Sequence, residues 1–155
     1  MRRGRFKSGF TKQSMEISFG HPEQEQISFF IPDAILEKLK KSFDKSATVR
    51  VQIQAGSFTG HAEPWLDVSD FVRFAPQAQR LYETLNGEAR FETVENQIRL
   101  ILTGDGKGHI NLSGHLLDRC GDGNKLFFKL DFDQTLLKNS ISDMERFLNA
   151  TTNKL

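Results

Sequence analysis

The sequence contains one cysteine, Cys120, among its 155 residues. A single cysteine cannot form an internal disulfide. Covalent support is not required at this length, because a chain of about 150 residues buries roughly two thirds of its unfolded surface on folding. The chain also lacks an apolar stretch approaching the roughly 18 residues of a membrane-spanning helix, and it shows no secretory signal. We therefore expect a cytoplasmic protein that does not enter a membrane.

Tyrosine and tryptophan are scarce, with one residue of each, whereas the chain contains 14 phenylalanines. The phenylalanine ring has no polar group, so it can be buried without a hydrogen-bond partner. This composition predicts a core built largely from aromatic rings.

The sequence has little net charge, +1 at pH 7, but its charge is unevenly distributed. The first twelve residues carry five basic and no acidic side chains, which leaves 16 basic against 20 acidic residues in the rest, a net charge of −4. We expect residues 1–14 to form a flexible basic arm and residues 15–155 to form one α+β domain. The arm could bind nucleic acid or an anionic membrane. It could equally be a frayed terminus, or a start placed ahead of the native Met15.

Residues 97–114 alternate apolar and polar side chains on both sides of a glycine-rich turn at residues 104–108, which predicts two antiparallel strands. One face should lie on a core and the other should meet solvent or a partner. The apolar face comprises Ile98, Leu100, Leu102, Ile110, Leu112, Gly114 and Leu116.

Similar patterns predict the remaining strands. Short links between them favour antiparallel pairing, because a parallel pair needs a crossover of about a dozen residues. The predicted strands are residues 15–19, 26–31, 48–55, 57–63, 89–93, 97–103, 108–117 and 125–131, with Gly56 turning the second pair.

Helical spacing of apolar residues predicts three helices. Asp33 should cap the first, whose apolar face is Ile35, Leu36, Leu39 and Phe43. The second covers residues 69–85, where Pro76 predicts a kink or two short helices and Asn86-Gly87 a left-handed end. Its two apolar stripes are Val68, Phe71, Val72 and Ala75, then Ala78, Leu81, Tyr82 and Leu85. Asp133 should cap the third, residues 134–149, with the apolar face Leu137, Ile141, Met144 and Leu148.

Together these elements predict an α+β fold. Its antiparallel strands should form a sandwich-like meander with a kinked middle helix. The C-terminal amphipathic helix should pack on the sheet.

The string Asp131-Phe-Asp133-Gln-Thr135 matches the signature of haloacid-dehalogenase-type phosphatases, in which Asp131 would be the nucleophile and Asp133 the acid/base. That fold places the motif on the first strand of a parallel sheet, with further catalytic motifs downstream. Here only 20 residues follow Thr135. The structural alternative is that Asp131 ends a strand and Asp133 caps the last helix.

Other motif-like strings predict no catalytic, cofactor or metal site. The turn at residues 104–108 lacks the spacing of a phosphate-binding loop, and residues 118–124 lack the ligands of a calcium loop. His109 and His115 lie about 20 Å apart along a strand, too far to ligate one metal ion. Cys120 lies in a polar loop without an evident base.

The second half of the sequence resembles the WapI-type bacterial immunity proteins and their uncharacterised relatives. The resemblance covers roughly residues 49–148 and omits the first 45 residues. It lies in the order of its segments: Trp65-Leu66, an acidic helix ending in LYETLNGEARFE, a hydrophobic strand, GDGKGHI, a further strand, and LFFKLDFDQTLL before a terminal amphipathic helix. The resemblance implies a non-enzymatic, cofactor-free protein that binds and neutralises the C-terminal domain of a polymorphic toxin, often a nuclease, made by the same cell.

A ligand-binding or scaffolding domain of the same fold is the alternative. A toxin-domain reading frame directly upstream would favour immunity, and its absence would favour the alternative. Inhibitors of nucleases are commonly strongly acidic, and the near-neutral charge of this chain argues against pure charge mimicry.

We predict that a partner binds the polar side chains that point away from the core on the predicted hairpin, together with the tryptophan. A tryptophan ring is rigid and can be desolvated with little loss of entropy, which makes it a common interface anchor. Trp65, between Pro64 and Leu66, could instead be a core plug at a sheet edge. Neither nucleic acid nor membrane is expected as a direct partner. The predicted partner-binding residues are Trp65, Asp105 and Lys107 on the turn, and His109, Asn111, Ser113 and His115 along the outward strand face.

Overall fold

A computed structural model describes residues 14–152 of the chain. Residues 1–13, which make up all but the last position of the predicted basic arm, lie outside the described residues, as do residues 153–155. The elements follow in the order β1 (Ser14–His21), β2 (Glu25–Pro32), α1 (Asp33–Lys41), β3 (Ser46–Thr48), β4 (Arg50–Ala55), β5 (Phe58–Ala62), β6 (Trp65–Asp67), α2 (Val68–Thr84), β7 (Asn86–Glu92), β8 (Ile98–Asp105), β9 (His109–Leu117), β10 (Lys125–Asp133) and α3 (Gln134–Thr151).

The described strands form two four-stranded sheets and one two-stranded sheet, and every pairing is antiparallel. The first sheet has the order β1-β2-β4-β5, and the second has the order β10-β9-β8-β7. Strands β3 and β6 make the small third sheet. The predicted α+β fold with antiparallel sheets is therefore confirmed, and the second sheet is the meander that short links between strands favoured.

A cluster of phenylalanine rings joins the two large sheets to two of the helices. Neighbouring rings lie 4.8 to 6.5 Å apart between centroids, mostly in tilted or edge-to-face arrangements. These are the geometries that aromatic quadrupoles favour. The predicted aromatic core is confirmed. Its members are Phe19 on β1, Phe29 on β2, Phe71 and Phe74 on α2, Phe91 on β7 and Phe147 on α3.

Helix α2 is one helix that contains Pro76, so the alternative of two short helices is wrong, and the kink at Pro76 stays a prediction. The proline is exposed, whereas the buried positions Phe71, Phe74, Ala78 and Leu81 continue at helical spacing on both sides of it. Val72 was predicted to face the core but is exposed. The apolar stripe runs through residue 74 instead, which keeps the ring of Pro76 on the solvent side.

The two ends of α2 are fixed by polar and backbone contacts. At the first turn, Asp67 accepts a hydrogen bond from the Ser69 N–H (2.8 Å), and the Asp67 N–H donates to Asp70 (2.8 Å) in a capping box. At the other end, the left-handed residue that ends the helix is Leu85, with φ of 64°, one position before the predicted Asn86-Gly87 pair. Gly87 also has a positive φ, of 98°. The Leu85 carbonyl accepts from the Gly106 N–H (2.8 Å), so the β8–β9 turn docks on the end of the helix.

Helix α1 differs from the prediction at both ends. Its N-cap is Pro32, which makes no side-chain cap bond, so Asp33 is the first helical residue and not the cap. The helix ends at Lys41, and Phe43 is fully exposed instead of facing the core. Residue 43 follows Leu39 by four positions, but this spacing brings side chains together only while the chain stays helical.

Helix α3 begins at the predicted cap, with the Asp133 carboxylate accepting from the Thr135 N–H (2.9 Å), and packs on the first sheet at β1. Leu137, Ile141 and Met144 are buried as predicted, whereas Leu148 is only partly buried. The helix also covers the free edge of β1. The Ser140 hydroxyl donates to the Ser18 carbonyl, and the Ser18 N–H donates to Asp143 (3.4 Å). These side chains form hydrogen bonds with backbone groups of β1 that would otherwise be unpaired at the edge of the sheet. No helix among residues 14–152 is long and apolar enough to cross a membrane.

Replacing Phe91 with alanine should strongly destabilise the fold, because its ring packs against those of Phe29, Phe71 and Phe74. We expect Phe91→Ala to lower the free energy of unfolding by about 3 to 5 kcal/mol in denaturant titrations. Phe43→Ala is the matched control, and it should change stability by less than about 0.5 kcal/mol because that ring is exposed. Equal losses in the two variants would contradict the assignment of the core.

Candidate partner-binding surface

The second sheet has a buried inner face and an accessible outer face. Its inner side chains, among them Leu100, Leu112 and Leu130, are fully buried. The alternate positions of β7 to β10 point away from this core, and most of them are exposed or half-exposed. We call this the outer face. The predicted partner-binding residues of β9 all lie on it.

Strand register arranges the outer face in cross-strand rows. Side chains directly opposite each other on neighbouring strands lie close enough to interact. The first row is Glu92, Arg99, His115 and Phe127; the second is Arg90, Ile101, Ser113 and Lys129; the third is Glu88, Thr103, Asn111 and Asp131. Beyond the third row lie Asp105 at the end of β8, Lys107 in the β8–β9 turn and His109 at the start of β9. We use the name aromatic end for the residues of the first two rows that lie on β8 to β10, together with Lys125. We use the name turn end for the third row together with Asp105, Lys107 and His109.

The polar groups at the turn end form hydrogen bonds with one another. One oxygen of Asp105 accepts hydrogen bonds from the backbone N–H groups of Lys107 (2.7 Å) and His109 (3.1 Å), and its other oxygen lies 3.2 Å from Nδ1 of His109. The two backbone bonds hold the pKa of Asp105 below its ordinary value, because they favour the charged carboxylate. Asn111 donates to Asp131 (2.8 Å). The carboxylates of Asp105 and Asp131 at this end of the face therefore already have hydrogen-bond donors from the chain itself.

The aromatic end carries an exposed ring among cationic side chains. Phe127 is 71% exposed, and Nζ of Lys125 lies 5.3 Å from its ring centre, a cation–π distance. Beside this ring lies an open depression of about 590 Å³. Its lining residues are Arg99, Ile101, Ser113, Gly114, His115, Phe127, Phe128 and Lys129.

Arg99 contributes a polar atom that lacks a hydrogen-bond partner. Its Nε is buried and has no acceptor among the described residues. The nearest carboxylate oxygen, from Glu92, lies 3.5 Å away, within ion-pair range but not in hydrogen-bonding geometry. Buried donors are nearly always paired, so this nitrogen is an exception among the described residues. The Arg99 side chain as a whole is 37% exposed and lines the depression.

A comparison with protein families matched residues 15–152 to the immunity protein WapI-like family. The chain belongs to the WapI-like immunity family. The match begins at the first strand, so the family includes the β1–β2 hairpin, which the resemblance seen in the sequence left out. A search of curated proteins and a search of solved structures gave no significant match.

His115 is less accessible than strand alternation predicts. The residue is only 5% exposed, and its Nε2 lies 3.0 Å from the Asn96 carbonyl oxygen. The ring of Phe127, on the opposite position of β10, packs edge-to-face against it at 6.0 Å. Strand alternation predicts only the side of the sheet, and here a neighbouring ring and a loop cover the histidine. His115 therefore packs against Phe127, and little of its own surface is accessible to a partner.

Trp65 lies apart from the other predicted partner-binding residues. It belongs to β6 in the two-stranded sheet, whereas Asp105, Lys107, His109, Asn111 and Ser113 lie along β8, β9 and their turn. Its side chain is 43% exposed, and Nζ of Lys38 lies 6.0 Å from its ring centre. The alternative interpretation of Trp65 as a core plug is therefore wrong, because much of the ring meets solvent.

The two aspartates of the phosphatase-like string have structural positions in this family member. Asp131 lies on the outer face of β10, where it accepts the hydrogen bond from Asn111. Asp133 caps α3, and bonds from the Thr135 N–H and hydroxyl hold its pKa below the ordinary value. The string lies on the last strand of an antiparallel sheet. Among residues 14–152, no group of three histidine, cysteine or acidic residues is placed to hold a metal ion.

Sequence reasoning missed Arg99, Phe127 and Lys129 as members of the surface. The signal was present in the LFFKLDFD segment, because inward positions at Leu130 and Phe132 place Phe128 inward and Phe127 outward. Two adjacent phenylalanines cannot both face the core of a regular strand.

The turn end should show a pH-dependent contribution from Asp105. Since its folded pKa is lowered, the stabilisation is present above the unfolded pKa of about 3.9 and is lost as the pH falls through the folded pKa. We therefore expect the wild type to melt at a higher temperature than Asp105→Asn at pH 7, with the gap closing below about pH 4. Other carboxylates titrate in both proteins and cancel in the difference. A gap that stays constant down to pH 2 would contradict this role.

Proposed function

We propose that this protein is an immunity protein that binds the C-terminal domain of a polymorphic toxin and neutralises it without catalysis. The observation that carries the proposal is the match to the WapI-like immunity family over residues 15–152. A toxin that cleaves nucleic acid, made by the same cell, is the kind of target we infer.

The outer face of the second sheet supports a binding function. Folding requires the inner side chains of β7 to β10, but it does not require an aromatic side chain at the exposed position of Phe127. The face also carries charges of both signs in defined rows, from Arg99 and Lys129 at one end to Asp131 and Glu88 beyond them. Such an arrangement favours recognition of one partner over others.

The charge of the chain favours a particular mode of neutralisation. A net charge of +1 does not resemble a nucleic acid, so general charge mimicry is a poor account of inhibition. Occlusion of the toxin by a shape-matched, mixed-charge surface fits this composition better.

Neutralisation should be stoichiometric, because a binding protein inhibits only the molecules it occupies. We expect the activity of the toxin domain encoded by the neighbouring reading frame to fall linearly with added protein and to end at a fixed molar ratio. The end point should not change with incubation time. The measurement is a titration of purified toxin domain in an activity assay, with co-expression survival as the cellular counterpart.

Two outcomes of that titration would contradict the proposal. Progressive inactivation at about one hundredth of an equivalent would indicate an enzyme. An absence of inhibition at every ratio would remove the immunity function and favour a ligand-binding or scaffolding domain.

A further inference from the structure

We propose that the aromatic end of the outer face is the docking site for an acidic segment of the toxin domain. A carboxylate of that segment pairs with Arg99 and Lys129, and a neighbouring apolar side chain packs on Phe127 and Ile101. This inference rests on the proposed immunity function and deepens it by naming the surface and the chemistry of the partner.

The exposed ring is the first observation behind the inference. On β10 the other outward positions near it are charged, namely Lys125, Lys129 and Asp131. Phe127 is the exception, and its ring is held in place by His115 beneath it and by Lys125 above it. A rigid, exposed aromatic side chain can be desolvated by a partner at a small cost in conformational entropy.

Charge is the second observation. The depression beside Phe127 is lined by the cationic residues Arg99 and Lys129, and its lining contains no carboxylate. Among the described residues, neither Lys125 nor Lys129 has an acidic oxygen within 4.0 Å, whereas Arg90 has two such partners in Glu88 and Glu92. Lys125 and Lys129 are therefore cations that no carboxylate of the described residues compensates, whereas Arg99 has Glu92 within 3.5 Å. The two lysines attract an anionic group.

The third observation is the accessible part of Arg99. The guanidinium group presents donors in a planar fork that matches a carboxylate, and a charge-assisted bond to it is stronger than a neutral one. Its Nε is buried beside Glu92, but the side chain is 37% exposed and lines the depression. A carboxylate that enters the depression can therefore bind the part of the guanidinium group that meets solvent.

The surroundings of the depression favour a protein segment over a nucleic acid. A nucleic acid strand carries a phosphate charge every few ångströms, so it needs a continuous cationic track. Here Glu92 lies next to Arg99 in the first row, and Asp131 lies one row beyond Lys129. These carboxylates interrupt any continuous cationic track across the face. A single carboxylate next to an apolar side chain matches the small cationic area and the exposed ring.

The test is a set of affinity measurements between the toxin domain of the neighbouring reading frame and four variants, by calorimetry or biolayer interferometry. Phe127→Ala and Lys129→Glu should each weaken binding by about tenfold or more, and raised salt should weaken the wild type more than Lys129→Glu. Phe58→Ala is the matched aromatic control, since Phe58 is 70% exposed on β5 of the other sheet. Lys40→Glu, on the exposed side of α1, is the matched charge control. Both controls should stay within about twofold of the wild type.

Different failures of this test have different meanings. If the wild type does not bind the toxin domain, the immunity function itself fails. If the wild type binds and both aromatic-end variants bind equally well, the function stands and this docking site is wrong. Binding of a 20-nucleotide DNA oligomer that Lys129→Glu abolishes would make nucleic acid the occupant and overturn the proposal. Thermal melting of each variant separates a binding defect from unfolding, and Lys129→Glu still tests the site if Phe127→Ala does not fold.

Discussion

The packing of Phe29, Phe71 and Phe91 is the interaction on which the rest of the structure depends. These rings come from the first sheet, from α2 and from the second sheet, with centroids 4.8 to 5.5 Å apart. Because they fix the inner face of β7, and because the register continues through β8, β9 and β10, they also determine which side chains point outward. A slip of one residue would exchange the two faces, so the outer face is a direct consequence of core packing.

The outer face has one end where the polar groups are hydrogen-bonded within the chain and another end where a polar atom is unpaired and an aromatic ring is exposed. At the turn end, Asp105 and Asn111 bind groups of their own chain, and these bonds shape the hairpin. At the aromatic end, Arg99 retains an unpaired buried nitrogen and Phe127 retains most of its exposed area. The docking site proposed above uses this asymmetry, because unsatisfied groups gain more from a partner than satisfied ones do.

Local patterns in the sequence were sufficient for eight of the ten described strands and for the C-terminal helix, but they missed the three-residue strands β3 and β6. Alternation predicts β8 and β9 because each has one buried face, and the Asp133 cap with its spaced apolar residues predicts α3. The errors arise where a neighbour distant in sequence decides exposure. His115 is covered by Phe127, and Phe74 takes the core position predicted for Val72 because the helix continues past Pro76. Phe43 escapes burial because α1 ends two residues earlier. Local alternation could have placed Phe127 outward, but the depression beside it exists only when three strands are in register.

The most direct measurement is a titration of isotope-labelled protein with the toxin domain, followed residue by residue by NMR. Docking at the aromatic end predicts that the largest changes fall on Arg99, Ile101, Ser113, Phe127 and Lys129. The indole N–H of Trp65, on the separate two-stranded sheet, should remain unchanged. Changes centred on Trp65 or on the first sheet, with β8 to β10 unaffected, would contradict the assignment of the binding surface.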